Sequence, residues 1–221
     1  MSWTATANKS EGGGYEKAPA GNHPAVLVGL IDLGEQWKEP FSAAPDPKTG
    51  KVPKAKWQRQ VYYVYELVTK KRTNMDANHL IAIDLTFSMH EKSKMRLWAE
   101  ARTGRAIPDG AVYDITQELG QPVLLNVKMK GDWPKIEGVS GVPDGFPVPD
   151  PKTKPVAWKL DPAKLDEIPG WVPYLYGEKI ADVVRRSKQI AGDRKTETRE
   201  PVGSQVGGEQ YATAAEQDIP F

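Results

Sequence analysis

The stretch "QRQVYYVYELVT", residues 58–69, constrains the fold most. It is dense in Val and Tyr, residue types that suit a pleated surface and lose side-chain freedom in a helix. Period-two alternation puts Val61, Tyr63, Tyr65 and Leu67 on one face, read as core, and Tyr62, Val64 and Glu66 on the other. Arg59 shares the core parity, so the start of the strand is expected to lie beyond the core or to twist outward. A chain built round such a strand needs partners of the same kind. "HLIAIDLTFSM" supplies one: Ile81, Ile83, Leu85, Phe87 and Met89 alternate with Ala82, Asp84, Thr86 and Ser88. "HPAVLVGLIDLG" supplies another, apolar on both faces and bounded by Pro24 and Gly34, which is the pattern of a doubly covered strand.

The remaining elements follow in order. "EQWKEPFSAAPDPKTGKVPKAKW", residues 35–57, holds four prolines and reads as a long loop. "HEKSKMRLWAEARTG" reads as a helix with Ser88 as candidate N-cap, Glu91 completing a capping box, an apolar stripe of Met95, Trp98 and Ala99, and Gly104 as the stop. A short helical "DITQELG" precedes the strand "QPVLLNVKMK"; "GDWP" reads as a turn, and "KIEGVSGV" as a last strand. Five strands with one helix between the third and fourth is the order of an OB-fold barrel. An SH3-like barrel and an α+β sandwich share the ingredients.

These readings divide the chain into four: a flexible, Gly-rich arm at 1–22, an OB-fold domain at 23–142, a Pro- and Trp-rich extension at 143–190, and a disordered tail at 191–221. The extension holds Trp158, Trp171 and a helix read over "YLYGEKIADVVRRSKQI", residues 174–190, with Ile180, Val183, Val184 and Ile190 on one side, so it is expected to pack on the barrel or on a neighbouring copy. Cysteine is absent from the 221 residues, which excludes a disulfide framework and a thiolate metal site. No apolar run reaches the ~18 residues of a membrane span, and the first residues lack the apolar core of a signal peptide.

Net charge is +1, but the charge is unevenly placed. Between Trp37 and Arg72 stand nine basic residues against three acidic ones. Lys92, Lys94 and Arg96 add to them at the helix start, as do Lys128, Lys130 and Lys135 around the fourth strand. Aromatic rings are interleaved at Trp37, Trp57, Tyr62 and Trp133. Cations that neutralise phosphates beside rings that stack on bases are what a single nucleic-acid strand requires. In an OB-fold the first long loop, strands two and three, and the loop between strands four and five form the binding face. The expected binding residues are Lys54, Lys56, Trp57, Arg59, Tyr62, Lys92, Lys128, Lys130, Trp133 and Lys135, with Tyr62 as an exposed stacking ring and Trp57 and Trp133 in loops.

Enzyme signals are few. "HEKSK" lacks the second His of a zinc-protease motif, His23, His79 and His90 have no metal-ligand spacing, and "EGGGYEK" lacks the ending of a P-loop. Asp84, His90 and Glu91 are a set that could hold a magnesium ion for a nuclease. The rival reading from a different class is an OB-type adaptor that binds another protein.

The chain resembles a family of tailed-bacteriophage single-stranded DNA-binding proteins. The resemblance is carried by "HPAVLVGLIDLG", "QVYYVYEL", "LTFSMHEKSKMRLWAEARTGR", "LGQPVLLNV" and "PGWVPYLYGEKI", and spans roughly residues 15–190. The closing "EQDIPF" resembles the tip of bacterial single-stranded DNA-binding proteins. The resemblance implies a non-catalytic protein without cofactor or metal. It would coat single-stranded DNA during replication, recombination and repair in the cytoplasm of a bacterial host, and self-association on DNA is compatible with it. It implies further that Asp218, Ile219, Pro220 and Phe221 dock on replication and repair proteins. The upstream Arg194, Lys195 and Arg199 depart from the acidic tail of that family. Sequence alone does not separate single-stranded DNA from double-stranded DNA or RNA.

Overall fold

A computed structural model describes residues 16–40, 45, 50, 52–73 and 75–192. The chain is mainly β. Its strands are β1 (Gly21–Lys38), β2 (Lys56–Lys71), β3 (Asn78–Thr86), β4 (Pro122–Lys130), β5 (Trp133–Ser140) and β6 (Val156–Trp158), and its longest helix is α1 (Lys94–Thr103). The strands form one open sheet in the order β3-β2-β1-β4-β5. All these neighbours are antiparallel, and β6 joins β1 in parallel at Gly29–Ile31. The edge strands β3 and β5 approach one another, and α1 packs against both.

β1 organises the sheet because it is apolar on both faces. One face contributes Ala25, Leu27 and Leu30 to a core with Val61, Tyr63, Tyr65, Leu67, Ile81, Leu85, Val123, Leu125, Val127 and Ile136, closed by Met95 of α1. Burial raises the phenol pKa of Tyr63 and Tyr65 well above the ordinary value, in keeping with their place in this core. The other face contributes Val26, Val28, Ile31 and Leu33 to a second core with Tyr62, Val64 and Val68. The cover on that side is the Pro- and Trp-rich extension, through Trp158, Leu175, Ile180, Val183 and Val184, with Trp171 packed alongside. The extension therefore packs on its own sheet. Gly29 permits the approach: a Cβ there would lie 3.0 Å from the Val64 Cβ and 3.2 Å from the Trp171 ring.

Glu66 anchors the same segment. It is fully buried and accepts from the Asn78 side-chain amide at 2.6 Å and from the backbone N–H groups of Lys152 and Thr153 at 2.8 Å each. A second tether holds the first described residues. The Glu16 carboxylate accepts from the Thr73 hydroxyl at 2.6 Å and its N–H at 2.7 Å. These bonds hold its pKa below the ordinary 4.5. A depressed carboxylate stabilises above its unfolded pKa and loses that contribution as pH falls through the folded value. The Thr73 amide proton resonance should accordingly shift upfield as pH drops below 4.5, and a flat titration would show that Glu16 does not hold the turn.

Three local expectations are corrected. The cap of α1 is Ser93, not Ser88: its hydroxyl accepts from the Arg96 N–H at 3.2 Å and donates to the Ser88 carbonyl at 2.5 Å. With Arg96 three residues after the cap, no capping box forms, and Glu91 stays in solvent. Gly104 does end the helix, in a left-handed conformation with φ 66°. Strand extends into the predicted loop from both sides, to Lys38 and from Lys56, because Gln36, Trp37 and Lys38 pair with Gln58, Trp57 and Lys56. The pattern there is polar beside aromatic, so alternation did not reveal it. The predicted C-terminal helix is broken into α2 (Ile180–Arg185) and α3 (Lys188–Ala191), and Tyr174–Glu178 form a turn instead.

Candidate nucleic-acid interface

The β4–β5 hairpin carries three of the predicted basic residues. Val123, Leu125, Val127 and Ile136 point into the core. Alternation therefore sends Lys128 and Lys130 of β4, and Trp133 and Lys135 of β5, to the opposite face. The register places Lys128 directly across from Lys135, and Lys130 across from Trp133. All three lysines are exposed, and Trp133 is 66 % exposed. Among the described residues none of these lysines makes an ion pair. Like charges directly opposite on paired strands do not support a sheet.

The patch continues beyond the hairpin. The Lys17 ammonium lies 4.7 Å from the Trp133 ring centroid. Lys94, at the first turn of α1, lies 4.5 Å from the Trp98 centroid. Burial lowers its pKa first, and the nearby positive charge of Lys135 lowers it further. An open depression of about 370 Å³ beside it is lined by Thr86, Ser88, His90, Lys92, Ser93 and Lys94. Lys92 is highly exposed there.

The β1–β2 arm forms a second cluster, joined to the first by the β3–α1 connection. Trp57 meets Trp37 edge-on, with centroids 5.5 Å apart and planes at 68°. Arg59 lies past the end of the core, where its guanidinium pairs with Asp32 at 2.5 Å and sits 5.2 Å from the exposed Phe87 ring. Its charge is thus already matched by one carboxylate, which raises its pKa further. Lys54 and Lys56 are exposed, and Lys38, opposite Lys56, is held by Asp84 at 2.7 Å.

No family model, curated protein or solved structure matches the chain. The fold places Lys128, Lys130, Trp133 and Lys135 on the β4–β5 hairpin, Lys92 ahead of α1, and Lys54, Lys56, Trp57 and Arg59 at the β1–β2 arm. It overturns one assignment. Tyr62 is 2 % exposed and donates its hydroxyl to the Tyr174 carbonyl at 3.2 Å, so it is not a surface stacking ring. Its face does point away from the first core, but the extension covers it. Trp57 and Trp133 are corrected in a smaller way, being strand residues rather than loop residues: Trp57 is half-buried in β2, and Trp133 is exposed at the start of β5. The carboxylate of Asp84 is engaged by Lys38 and by the Tyr176 hydroxyl at 2.9 Å. Among the described residues no three His, Asp or Glu side chains converge on a metal position.

The expected binding residues omitted Lys17, Phe87 and Tyr176, which stand at this surface, and Lys94, which was counted only in the basic charge. Lys94 carried a readable signal, since it stands beside Lys92 at a helix start. Arg96, read as part of the same positive charge, instead turns inward to Glu100 and Asp109 and to the Ile107 carbonyl. Asp218, Ile219, Pro220 and Phe221 lie outside the described residues.

Proposed function

We propose that the chain binds single-stranded DNA, largely without sequence preference and without catalysis, on an OB-type scaffold in which α1 bridges the two edge strands. The observation that carries this reading is the opposed Lys128–Lys135 pair beside exposed Trp133. A phosphate placed between the two ammonium groups relieves their repulsion and releases counterions. The adjacent indole offers a flat apolar face to an unstacked base. Backbone charge and ring stacking together recognise any sequence, which suits a protein that coats and protects DNA during phage replication, recombination and repair in a bacterial host. In the same reading, Asp218 to Phe221 recruit replication and repair partners.

The test is a titration of poly-dT at several salt concentrations, run in parallel with duplex DNA and RNA. Salt-sensitive binding that is tightest for poly-dT is the expected result. Trp133→Ala should weaken it by about 5- to 100-fold, from the ~1–3 kcal/mol of one stacked base, and leave the salt slope unchanged. Absence of binding to poly-dT would reject the reading and favour a protein-binding adaptor. Magnesium-dependent cleavage would favour a nuclease.

A further inference from the structure

The extension ends its crossing of the sheet in an unusual turn. Leu175 and Glu178 exchange both backbone hydrogen bonds at 3.0 Å, enclosing Tyr176 and Gly177 in a two-residue hairpin. Both enclosed residues have positive φ, 53° and 82°. That is the type I′ geometry, which Asn-Gly or Gly-Gly adopts without strain. Tyr176 is the one non-glycine residue with positive φ among those described. A tyrosine there is disfavoured by its own backbone, and an observed outlier of this kind points to a role for the side chain.

What the side chain does is visible. Its hydroxyl is pinned to Asp84 at 2.9 Å, and Asp84 is itself held by Lys38 at 2.7 Å. The base of the hairpin is locked by the Tyr62 hydroxyl on the Tyr174 carbonyl. Yet the residue is 73 % exposed. The ring is therefore fixed in orientation and displayed to solvent, so little rotamer freedom remains to be lost on binding. Lys38 lies 5.9 Å from its centroid, and the exposed Lys56 stands opposite Lys38 in the sheet. Asp84 neutralises Lys38 and leaves Lys56 for a phosphate.

We infer that Tyr176 is a nucleobase-stacking residue, by which the extension supplies to the β1–β2 arm the exposed ring that Tyr62, buried beneath it, does not. The inference rests on the proposed binding of single-stranded DNA. The ligand class is an unpaired base with its phosphate near Lys56.

Three variants of the full chain test it: Tyr176→Gly, Tyr176→Phe and Lys56→Ala. Glycine relieves the turn, so Tyr176→Gly should unfold at a temperature no lower than wild type. It should nevertheless bind poly-dT about 5- to 100-fold more weakly, with the salt slope unchanged. Phenylalanine keeps the ring and should retain most of the affinity, while Lys56→Ala should flatten the salt slope. Wild-type affinity in Tyr176→Gly would overturn the inference and leave single-strand binding standing. Equal losses in Tyr176→Phe and Tyr176→Gly would also overturn it, because the hydroxyl anchor rather than the ring would then be responsible. A wild-type protein that fails to bind poly-dT would remove both readings at once.

Discussion

Lys128→Ala combined with Lys135→Ala should weaken poly-dT binding by about 10- to 100-fold at low salt while making the folded protein slightly more stable. The two effects share one cause. In the free protein the two lysines face one another across the β4–β5 pair. Removing them should relieve about 0.2–1 kcal/mol. In the complex each is expected to neutralise a phosphate. The salt slope on a single strand is about 0.7 per phosphate contact, so losing two contacts should flatten it by about 1.4. Titrations at four or five salt concentrations, with thermal melts of the same samples, read both quantities. A double variant that binds with an unchanged slope would move the interface off this hairpin. One that melts at lower temperature would mean that the lysines support the fold rather than burden it.

Glu66→Ala should be the most damaging single change to the fold, at about 3–5 kcal/mol. Three donors lose their acceptor together: the Asn78 amide and the N–H groups of Lys152 and Thr153. The buried Asn78 amide left unpaired costs about 1–3 kcal/mol, the part-buried N–H groups of Lys152 and Thr153 add less because water can reach them, and the small side chain also leaves a cavity. At about 2–4 °C per kcal/mol for a domain of this size, the melting midpoint should drop by roughly 6–20 °C. Because two of the three lost partners, Lys152 and Thr153, lie on the extension, limited proteolysis should cut near Lys152 before the sheet unfolds. Glu66→Gln should be only partly tolerated, since its NH₂ group would face N–H donors where the carboxylate accepts. Wild-type stability in Glu66→Ala would show that apolar packing alone holds the extension in place.

The legible parts of the fold were those with a strong period. Val61, Tyr63, Tyr65 and Leu67 alternate cleanly, and all four are buried in the first core. The doubly apolar "HPAVLVGLIDLG" lies between two cores, and Gly104 ends α1. Capping was harder to read because two serines, Ser88 and Ser93, compete near the helix start. The better-placed Glu after Ser88 outweighed the geometry that selects Ser93. The arm was missed because Trp37 and Trp57 steady each other across strands, a contact between residues twenty apart that no local window detects.

At the interface the sequence could state which residues were cationic or aromatic, but not which were already engaged. Arg59 and Arg96 counted as positive charge, yet the fold turns Arg59 to Asp32 and Arg96 to Glu100 and Asp109. Lys128, Lys130 and Lys135 counted equally in the sequence and remain unpaired among the described residues.

The sequence by itself determined the succession of the first five strands along the chain, the place of the single longer helix among them, the face of β2 that enters the first core, and which segments are basic and aromatic. Each follows from local periodicity or residue chemistry, which act over a few positions. Only the tertiary structure decided what the second face of the sheet meets. Alternation places Tyr62 opposite the core, but whether that face meets water or protein depends on where residues 143–192 go. They lie across it, bury Tyr62 and display Tyr176 in its place. The physical reason is that burial is a property of the whole packed chain: a segment eighty or more residues away can reverse the solvent exposure that a strand's own pattern implies.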